Sequence, residues 1–287
     1  MSRSQRRIVE PMAAAEPHAA RRGSPTGHYD VVAVRYATLT APKSHLFYRY
    51  ETYGEPDAAV EMAYYFWVLR AGGETILVDT GFDPVVGERR GRTCLCRPVD
   101  ALRRLGVEPE SVSAIIVTHL HYDHIGNLDA FPQAALVVPR RELEFWTGPI
   151  AARSQFGSHV EAREVALLEE ALRAGRVRLT EGVEEIFDGI TAHSVGGHSP
   201  GQQVTVVSTP AGDVVLASDA VHFYEELELD RPFAVIADLE RMYAAYDMLR
   251  ELAASSGAVL IPGHDPEVLT RFPALDRQTD GIAVRLA

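Results

Sequence analysis

The 287-residue sequence contains only two cysteines, Cys94 and Cys96, and no apolar run long enough to span a bilayer. Two cysteines cannot build a disulfide framework, so we expect ordinary thiols in a reducing compartment, the cytoplasm. Basic residues are also scarce, because 28 Lys and Arg face 40 Asp and Glu, a formal net charge of −12. Nucleic-acid binding needs Lys and Arg to neutralise phosphates, so we expect neither a nucleic-acid nor a membrane partner.

The N-terminal segment, residues 1–28, is rich in alanine, proline and arginine. We expect it to form a flexible tail. Arg6 and Arg7 resemble a twin-arginine export signal, but Glu10, Pro11 and Glu16 interrupt the apolar stretch that such a signal needs. No linker rich in Pro, Gly or Ser divides residues 29–287, so we predict one domain there.

Beyond the tail, short apolar segments rich in Val, Ile and Thr are mixed with segments of helical apolar spacing. VVAVRYATLT, SAIIVT and VVLASD predict strands, whereas SHVEAREVALLEEALRA and DLERMYAAYDMLRELAASS predict helices. Each half of the chain runs from strands towards helices. This order predicts an α/β domain in which helices pack on sheets.

The segment VTHLHYDHIGN places His119, His121, Asp123 and His124 within six residues. Four ionisable groups packed so closely without partners would be costly in a core, so the cluster predicts metal binding. In an extended loop, His119, His121 and Asp123 would point to one side. His124 would then point elsewhere, towards a second ion.

Three further candidate ligands each follow a predicted strand: His198 in GGHSPG, Asp219 in ASDA and His264 in PGHDP. Loops at one edge of a sheet converge on one cleft, so we expect these side chains to meet the cluster. Seven candidates exceed the roughly four ligands of one tetrahedral ion. The sequence therefore predicts two divalent metal ions, with Zn²⁺ preferred, although the same donors accept manganese, iron or cobalt. The remaining histidines we expect to be structural or exposed, namely His18, His28, His45, His159 and His193.

These motifs resemble the metallo-β-lactamase superfamily from about Tyr29 onward. HLHYDH matches the H-x-H-x-D-H signature, and ILVDTG, GGHSPGQ, ASDA and IPGHD match the other motifs in order. The resemblance implies an αββα sandwich with a dinuclear metal site at one edge. By position it assigns one ion to His119, His121 and His198, the other to Asp123, His124 and His264, and the bridge between them to Asp219.

Within this superfamily the chain is most similar to the N-acyl homoserine lactonases, which implies a lactone or related ester substrate and suggests a homodimer. Hydroxide held between two ions would attack the carbonyl, and Asp123 would pass a proton to the leaving alkoxide. Those lactonases often place a Tyr three residues after the bridging Asp. This chain has His222 there and Tyr224 two residues further on, and either could donate to the oxyanion. Asp79 and Thr118 would support the ligands, although a turn role for Asp79 is equally open.

Two alternatives remain open. A thioesterase of the glyoxalase II kind, or another ester hydrolase, would use the same metals and would need cationic groups, for which Arg231 and Arg271 are candidates. A metal-binding protein without catalysis is disfavoured, because a complete ligand set is typical of an active site. Aromatic residues around Phe145 and Trp146 could form an acyl-chain pocket, but ordinary core packing is the favoured interpretation.

Overall fold

The structure, a computed structural model, describes residues 27–287. The flexible tail predicted for residues 1–28 lies outside these residues, except for its last two positions. The strands are β1 (Asp30–Pro42), β2 (Ala59–Ala71), β3 (Glu74–Val78), β4 (Thr93–Cys94), β5 (Ala114–Ile116), β6 (Ala135–Pro139), β7 (Val177–Thr180), β8 (Val183–Phe187), β9 (Ile190–Ser194), β10 (Gln203–Thr209), β11 (Gly212–Ser218), β12 (Val259–Pro262) and β13 (Ala283–Arg285).

Eight α-helices are found in the described part of the chain. They are α1 (Lys43–Leu46), α2 (Pro84–Arg89), α3 (Pro98–Arg104), α4 (Arg140–Trp146), α5 (Ala162–Arg173), α6 (Tyr224–Leu229), α7 (Leu239–Ser256) and α8 (Val268–Arg271). Proline at the first position of α2 and α3 suits a helix start, because the N–H that it lacks has no partner inside the helix. No helix among residues 27–287 combines the length and the apolar character needed to cross a membrane.

The strands form two sheets. The larger sheet has the order β13-β1-β2-β3-β5-β6-β7, and β4 pairs with β1 outside this path. Strands β1, β2 and β3 pair antiparallel, whereas β3, β5, β6 and β7 run parallel. The smaller sheet has the order β12-β11-β10-β9-β8, in which β11 and β12 are parallel and the other pairs antiparallel.

The side chains of β1 show how the layers stack. Val31 and Val32 are adjacent and belong to different buried clusters, because successive strand residues face opposite sides of a sheet. The cluster with Val31 also contains Leu216 of the smaller sheet, so it lies between the two sheets. The cluster with Val32 contains Leu168 of α5 and Tyr246 of α7, so it lies beneath the helices. The sheets pack face to face with helices outside, which confirms the expected αββα sandwich.

One predicted helix starts later than its apolar spacing indicates. Helix α5 begins at Ala162, four residues after the predicted start at Ser158. The carbonyl of Ser158 accepts a hydrogen bond from Arg90, and that of His159 accepts one from the backbone N–H of Tyr122. These long-range bonds hold the two residues in a loop, and the loop lies beside the histidine-rich segment.

Candidate metal centre

Seven side chains converge in one place, each from a loop or residue that follows a strand. They are His119, His121, Asp123 and His124 after β5, His198 after β9, Asp219 after β11, and His264 after β12. All seven are buried. The two sheets therefore bring together the candidate ligands that are separated by up to 145 positions in the sequence.

The donor atoms form two groups. Those of His119, His121, His198 and Asp219 lie within 4.8 Å of one another, and so do those of Asp123, His124 and His264. The Oδ2 of Asp219 lies 3.3 Å from the Nε2 of His198. Its Oδ1 lies 3.2 Å from the Nε2 of His124 and 3.0 Å from the Nε2 of His264. One carboxylate thus presents one oxygen to each group.

The HLHYDH loop is not extended, so the expectation that Asp123 shares a side with His119 and His121 is wrong. The N–H of His124 donates to the carbonyl of His121 at 3.0 Å, which closes a turn. A turn breaks the two-residue alternation on which that expectation depended. Asp123 consequently groups with His124 and His264, the arrangement that the resemblance implies.

The chemistry of the donors fits two divalent cations. Burial is the main cause that holds the pKa values of His119, His121 and His198 well below the ordinary value, so these imidazoles are neutral. A neutral imidazole keeps the lone pair that a metal requires. The Nε2 atoms of His119 and His124 are buried without a hydrogen-bond partner among residues 27–287. Buried polar atoms are rarely left unpaired unless a water or an ion is their partner.

Asp79 supports the cluster from the end of β3. Its Oδ2 accepts a hydrogen bond from the Nδ1 of His124 at 2.7 Å, and its carboxylate accepts two more from the backbone and hydroxyl of Thr118. Asp79 has a φ of +62°, and Ser218, which pairs with Thr118, has a φ of +47°. Non-glycine residues rarely adopt such angles, and the strain is typical of functional sites. Asp79 therefore orients the ring of His124, beyond any role as a turn residue.

Glu142 of α4 is a buried carboxylate that sequence reasoning missed. It accepts hydrogen bonds from the backbone of Leu120 at 3.0 Å, the hydroxyl of Ser199 at 2.6 Å and the indole of Trp146 at 2.7 Å. Leu120 and Ser199 each adjoin candidate ligands, so one carboxylate aligns two ligand loops. Nothing in the segment RRELEFW distinguishes this glutamate from an exposed helical one except the tryptophan four residues later.

His222 lies directly against the cluster. Its Nε2 is 3.2 Å from the Oδ2 of Asp219, and its fully buried ring stacks on Phe233 at a centroid distance of 3.6 Å. Burial lowers the pKa of His222, but the carboxylates of Asp219 and Glu226 raise it more, to about 9. The residue touches the ligand set but does not line the cleft beside it.

The structure does not bring Tyr224 to the cluster. Its N–H donates to the carboxylate of Asp265, and the guanidinium of Arg271 lies 3.6 Å from the centroid of its ring. These contacts hold Tyr224 at the start of α6, where it lines a separate cavity of about 470 Å³ with Arg271. The other expected cation, Arg231, pairs with Glu55 at 2.5 Å. None of these three residues lines the cleft beside the candidate ligands.

A cleft opens beside His121 and His198. One part, of about 500 Å³, is lined by apolar residues such as Leu39 and Met62 and by the charged residues Arg90, Arg92 and Asp123. A neighbouring part of about 410 Å³ is lined by Trp146, Phe156 and His159. The ring of Trp146 lies 5.5 Å from that of His121. Trp146 therefore serves the cleft rather than the core alone, whereas Phe145 is buried and does not line it. The expectation of a structural or exposed His159 overlooked its place in this wall.

The αββα sandwich and the buried set of histidines and aspartates identify the class of protein. Residues 61–264 match the metallo-beta-lactamase superfamily, and the chain belongs to that family.

Among curated proteins, the chain is similar to the N-acyl homoserine lactonase AiiA of Bacillus thuringiensis subsp. kurstaki. The two are 29% identical over 227 residues, which is 74% of this chain and 85% of that protein. A solved quorum-quenching N-acyl homoserine lactone lactonase is 25% identical with a TM-score of 0.69, over 82% of this chain and 92% of its own.

A second solved structure supports the fold alone. It is an N-acyl homoserine lactone hydrolase with the product N-hexanoyl-L-homoserine bound at the catalytic metal center. It is 23% identical with a TM-score of 0.71, over 86% of this chain and 97% of its own.

Proposed function

We propose that this protein is a dinuclear-metal hydrolase that opens lactones, either N-acyl homoserine lactones or a related cyclic ester. The observation that carries the proposal is the buried set of five histidines and two aspartates, in which Asp219 faces both groups of donors. The lactonase relatives supply the substrate class. Location in the cytoplasm and a homodimeric assembly stay predictions from sequence.

In the proposed assignment, His119, His121 and His198 would hold one ion, and Asp123, His124 and His264 would hold the other. Asp219, which presents one oxygen to each group of donors, would contribute to both. Zinc is the proposed metal because imidazole and carboxylate donors suit it. When bound, two such ions polarise an ester carbonyl and make a nearby water acidic enough to lose a proton near neutral pH.

The reaction adds water across the ester bond, breaks the ring C–O bond and yields an open-chain hydroxy acid. Asp123 lines the cleft, and we assign its carboxylate the transfer of a proton to the leaving alkoxide. The wall formed by Trp146 and Phe156 offers an apolar surface for an acyl chain. His222 and Tyr224 have no role as oxyanion donors in this proposal, because neither lines the cleft.

A thioesterase is the second candidate, and one observation favours it. Arg90 and Arg92 line the cleft and could attract the anionic groups of a thioester substrate. Arg90 pairs with Glu161 at 2.6 Å, which neutralises its charge. Arg92 donates to the hydroxyl of Tyr122 and has no carboxylate within ion-pair distance among the described residues.

Metal analysis with one variant tests the centre. The purified protein should contain close to two ions per chain. His119→Ala should lose metal together with activity, and kcat/KM should fall by about three orders of magnitude, or roughly 4 kcal/mol. His193→Ala is the matched control, because His193 lies on β9 outside both groups of donors. A metal content near zero in the parent protein would contradict the whole proposal.

A substrate screen separates the two candidate functions. Acid release should be followed in a pH-stat with acyl homoserine lactones, simple lactones and thioesters. Turnover of lactones supports the proposal, whereas turnover of thioesters alone rejects it in favour of the second candidate.

A further inference from the structure

Arg92 differs from its neighbours Arg89 and Arg90 in its charge partners. Arg89 and Arg90 both pair with Glu161, at 2.7 and 2.6 Å. Arg92 is half-buried, and no Asp or Glu oxygen within residues 27–287 lies at ion-pair distance from its guanidinium. Removing a charge from water is costly unless the charge is paired. The position of this unpaired cation in the cleft therefore points to a partner that arrives with the substrate.

Two hydrogen bonds hold the guanidinium of Arg92 in place. Its Nε donates to the hydroxyl of Tyr122 at 2.9 Å, and its Nη1 donates to the carbonyl of Arg90. The ring of Tyr122 is itself restrained, because the guanidinium of Arg90 lies 4.0 Å from its centroid and Phe82 stacks on it at 5.9 Å. Since a guanidinium is planar, these two bonds also fix the direction of its third nitrogen, Nη2.

The Nη2 of Arg92 is a free donor. It has no hydrogen-bond partner in the part of the chain that the structure describes, and it is not one of the buried unpaired atoms there, so it is accessible. Arg92 lines the same part of the cleft as Asp123, the residue assigned to proton transfer. A fixed, charged donor beside the reacting groups can select substrates by an oxygen acceptor that they carry.

The lining of this part of the cleft matches an N-acyl lactone. It combines Asp123, the donor on Arg92, and the apolar side chains of Leu39 and Met62. An N-acyl lactone combines a reacting ester, an amide carbonyl and an apolar chain. A lactone with a plain alkyl chain lacks the carbonyl and would leave the donor unpaired, and sites built to hydrogen-bond a substrate discriminate strongly against such analogues.

We propose that Arg92 is a specificity-determining residue whose Nη2 donates a hydrogen bond to the amide carbonyl of the substrate's acyl group. The inference rests on the proposed lactonase function and deepens it, because it makes the amide, and not only the lactone ring, part of what the cleft recognises. Tyr122 is the positioning residue for this donor, through the bond that it accepts from Nε.

Calorimetry with two lactam analogues tests the inference without measuring turnover. In both lactams, N–H replaces the ring oxygen, so that the scissile ester is absent. One carries a hexanoylamide side chain, and the other carries an alkyl chain of the same length. Arg92→Met should weaken binding of the amide lactam by about 10–100-fold and leave binding of the alkyl lactam nearly unchanged. Arg92→Gln, which keeps a polar group, should show a smaller loss in the same direction.

Controls and kinetics accompany the binding measurement. Arg89→Gln is the matched control, because Arg89 does not line the cleft. With N-hexanoyl homoserine lactone as substrate, Arg92→Met should raise KM by about the same factor as it weakens binding and leave kcat nearly unchanged. Metal content and circular dichroism check that each variant keeps its metal centre and its fold. If Arg92→Met does not fold, the same comparison with Arg92→Gln decides.

The outcomes separate this inference from the proposed function. If the parent protein hydrolyses lactones but Arg92→Met changes binding of the two lactams equally, Arg92 only supports the wall of the cleft and the inference is wrong. A larger loss for a lactam that carries a carboxylate on its chain would mean that Arg92 serves an anion, which overturns the assignment to the amide carbonyl. If the parent protein hydrolyses no lactone, the proposed function is wrong and the inference fails with it.

Discussion

The candidate metal centre has a closed side, which is buried in the protein, and an open side, which faces the cleft. Different kinds of side chain form the two sides. On the closed side, the buried carboxylates of Asp79 and Glu226 stand behind His124 and His222. On the open side, the apolar and aromatic walls of the cleft, such as Phe156, lie beside His121 and His198. The closed side fixes the donor atoms, and the open side is left to select the substrate.

The largest expected effect comes from the closed side, with Asp79→Asn. The amide replaces one of the two acceptor oxygens with an NH2 group, which must face either the backbone N–H of Thr118 or the Nδ1–H of His124, so the orientation of the His124 ring is weakened. Metal affinity should fall by about 10–100-fold in competition with a chelator. If it stays within twofold of the parent protein, Asp79 is a turn residue and the division into two sides loses its basis.

A smaller effect is expected on the open side, with Phe156→Ala. Loss of a ring that lines the cleft should raise KM about tenfold for lactones with long acyl chains, and less for short ones, with metal content unchanged. Phe145→Leu is the matched control, because Phe145 packs against Phe156 without lining the cleft. Equal effects on short and long chains would show that this wall does not contact the acyl group.

The smallest effect is expected from a buried carboxyl on neither side, Glu164 of α5. Burial raises the pKa of Glu164 to about 7. Between about pH 4.5 and pH 7, Glu164 thus keeps its proton in the folded protein but loses it in the unfolded chain. The free energy of unfolding therefore falls as the pH rises towards 7. Glu164→Gln should increase the free energy of unfolding at pH 8 by on the order of 1 kcal/mol and leave it nearly unchanged at pH 4. Urea unfolding measures this.

Two results would contradict that prediction. One is an equal change at both pH values, and the other is any loss of metal or activity. Glu169→Gln is the control, because Glu169 is exposed on the same helix. The comparison shows whether a buried carboxyl matters for the centre only where it contacts a ligand.

The candidate ligands could be predicted from sequence because each lies in a short motif after an apolar strand. His198, Asp219 and His264 are single residues, yet the strands before them are rich in Val, Ile and Leu and easily recognised. The same strands predicted only helices packed on sheets, and the αββα sandwich was implied by the family resemblance. Strands β4, β8 and β13 escaped prediction, because VEEIF is dominated by charge and the other two are only two and three residues long.

The supporting residues could not be predicted, because their partners are distant in sequence. Glu142 bonds Ser199 across 57 positions, and the turn that redirects Asp123 depends on a hydrogen bond no motif encodes. His159 reaches the cleft through a loop that bonds to Tyr122. Tyr224 is close to Asp219 in sequence, but its contacts with Asp265 and Arg271 could not be predicted from that closeness.

The pairing of β1 with β13 means that β1 waits for a partner strand during translation. Val32 of β1 pairs with Arg285 of β13, and the N–H of Leu286 donates to the carbonyl of Val31. A ribosome that adds roughly 5–20 residues per second needs about 10–50 s to make the intervening chain of about 250 residues. Throughout that interval the part of β1 from Val32 to Val34 lacks its partner on this edge, because β4 pairs only with Ala37 and Thr38, and an open strand edge is a template for aggregation. The nascent chain is therefore exposed to mispairing at this edge until β13 emerges.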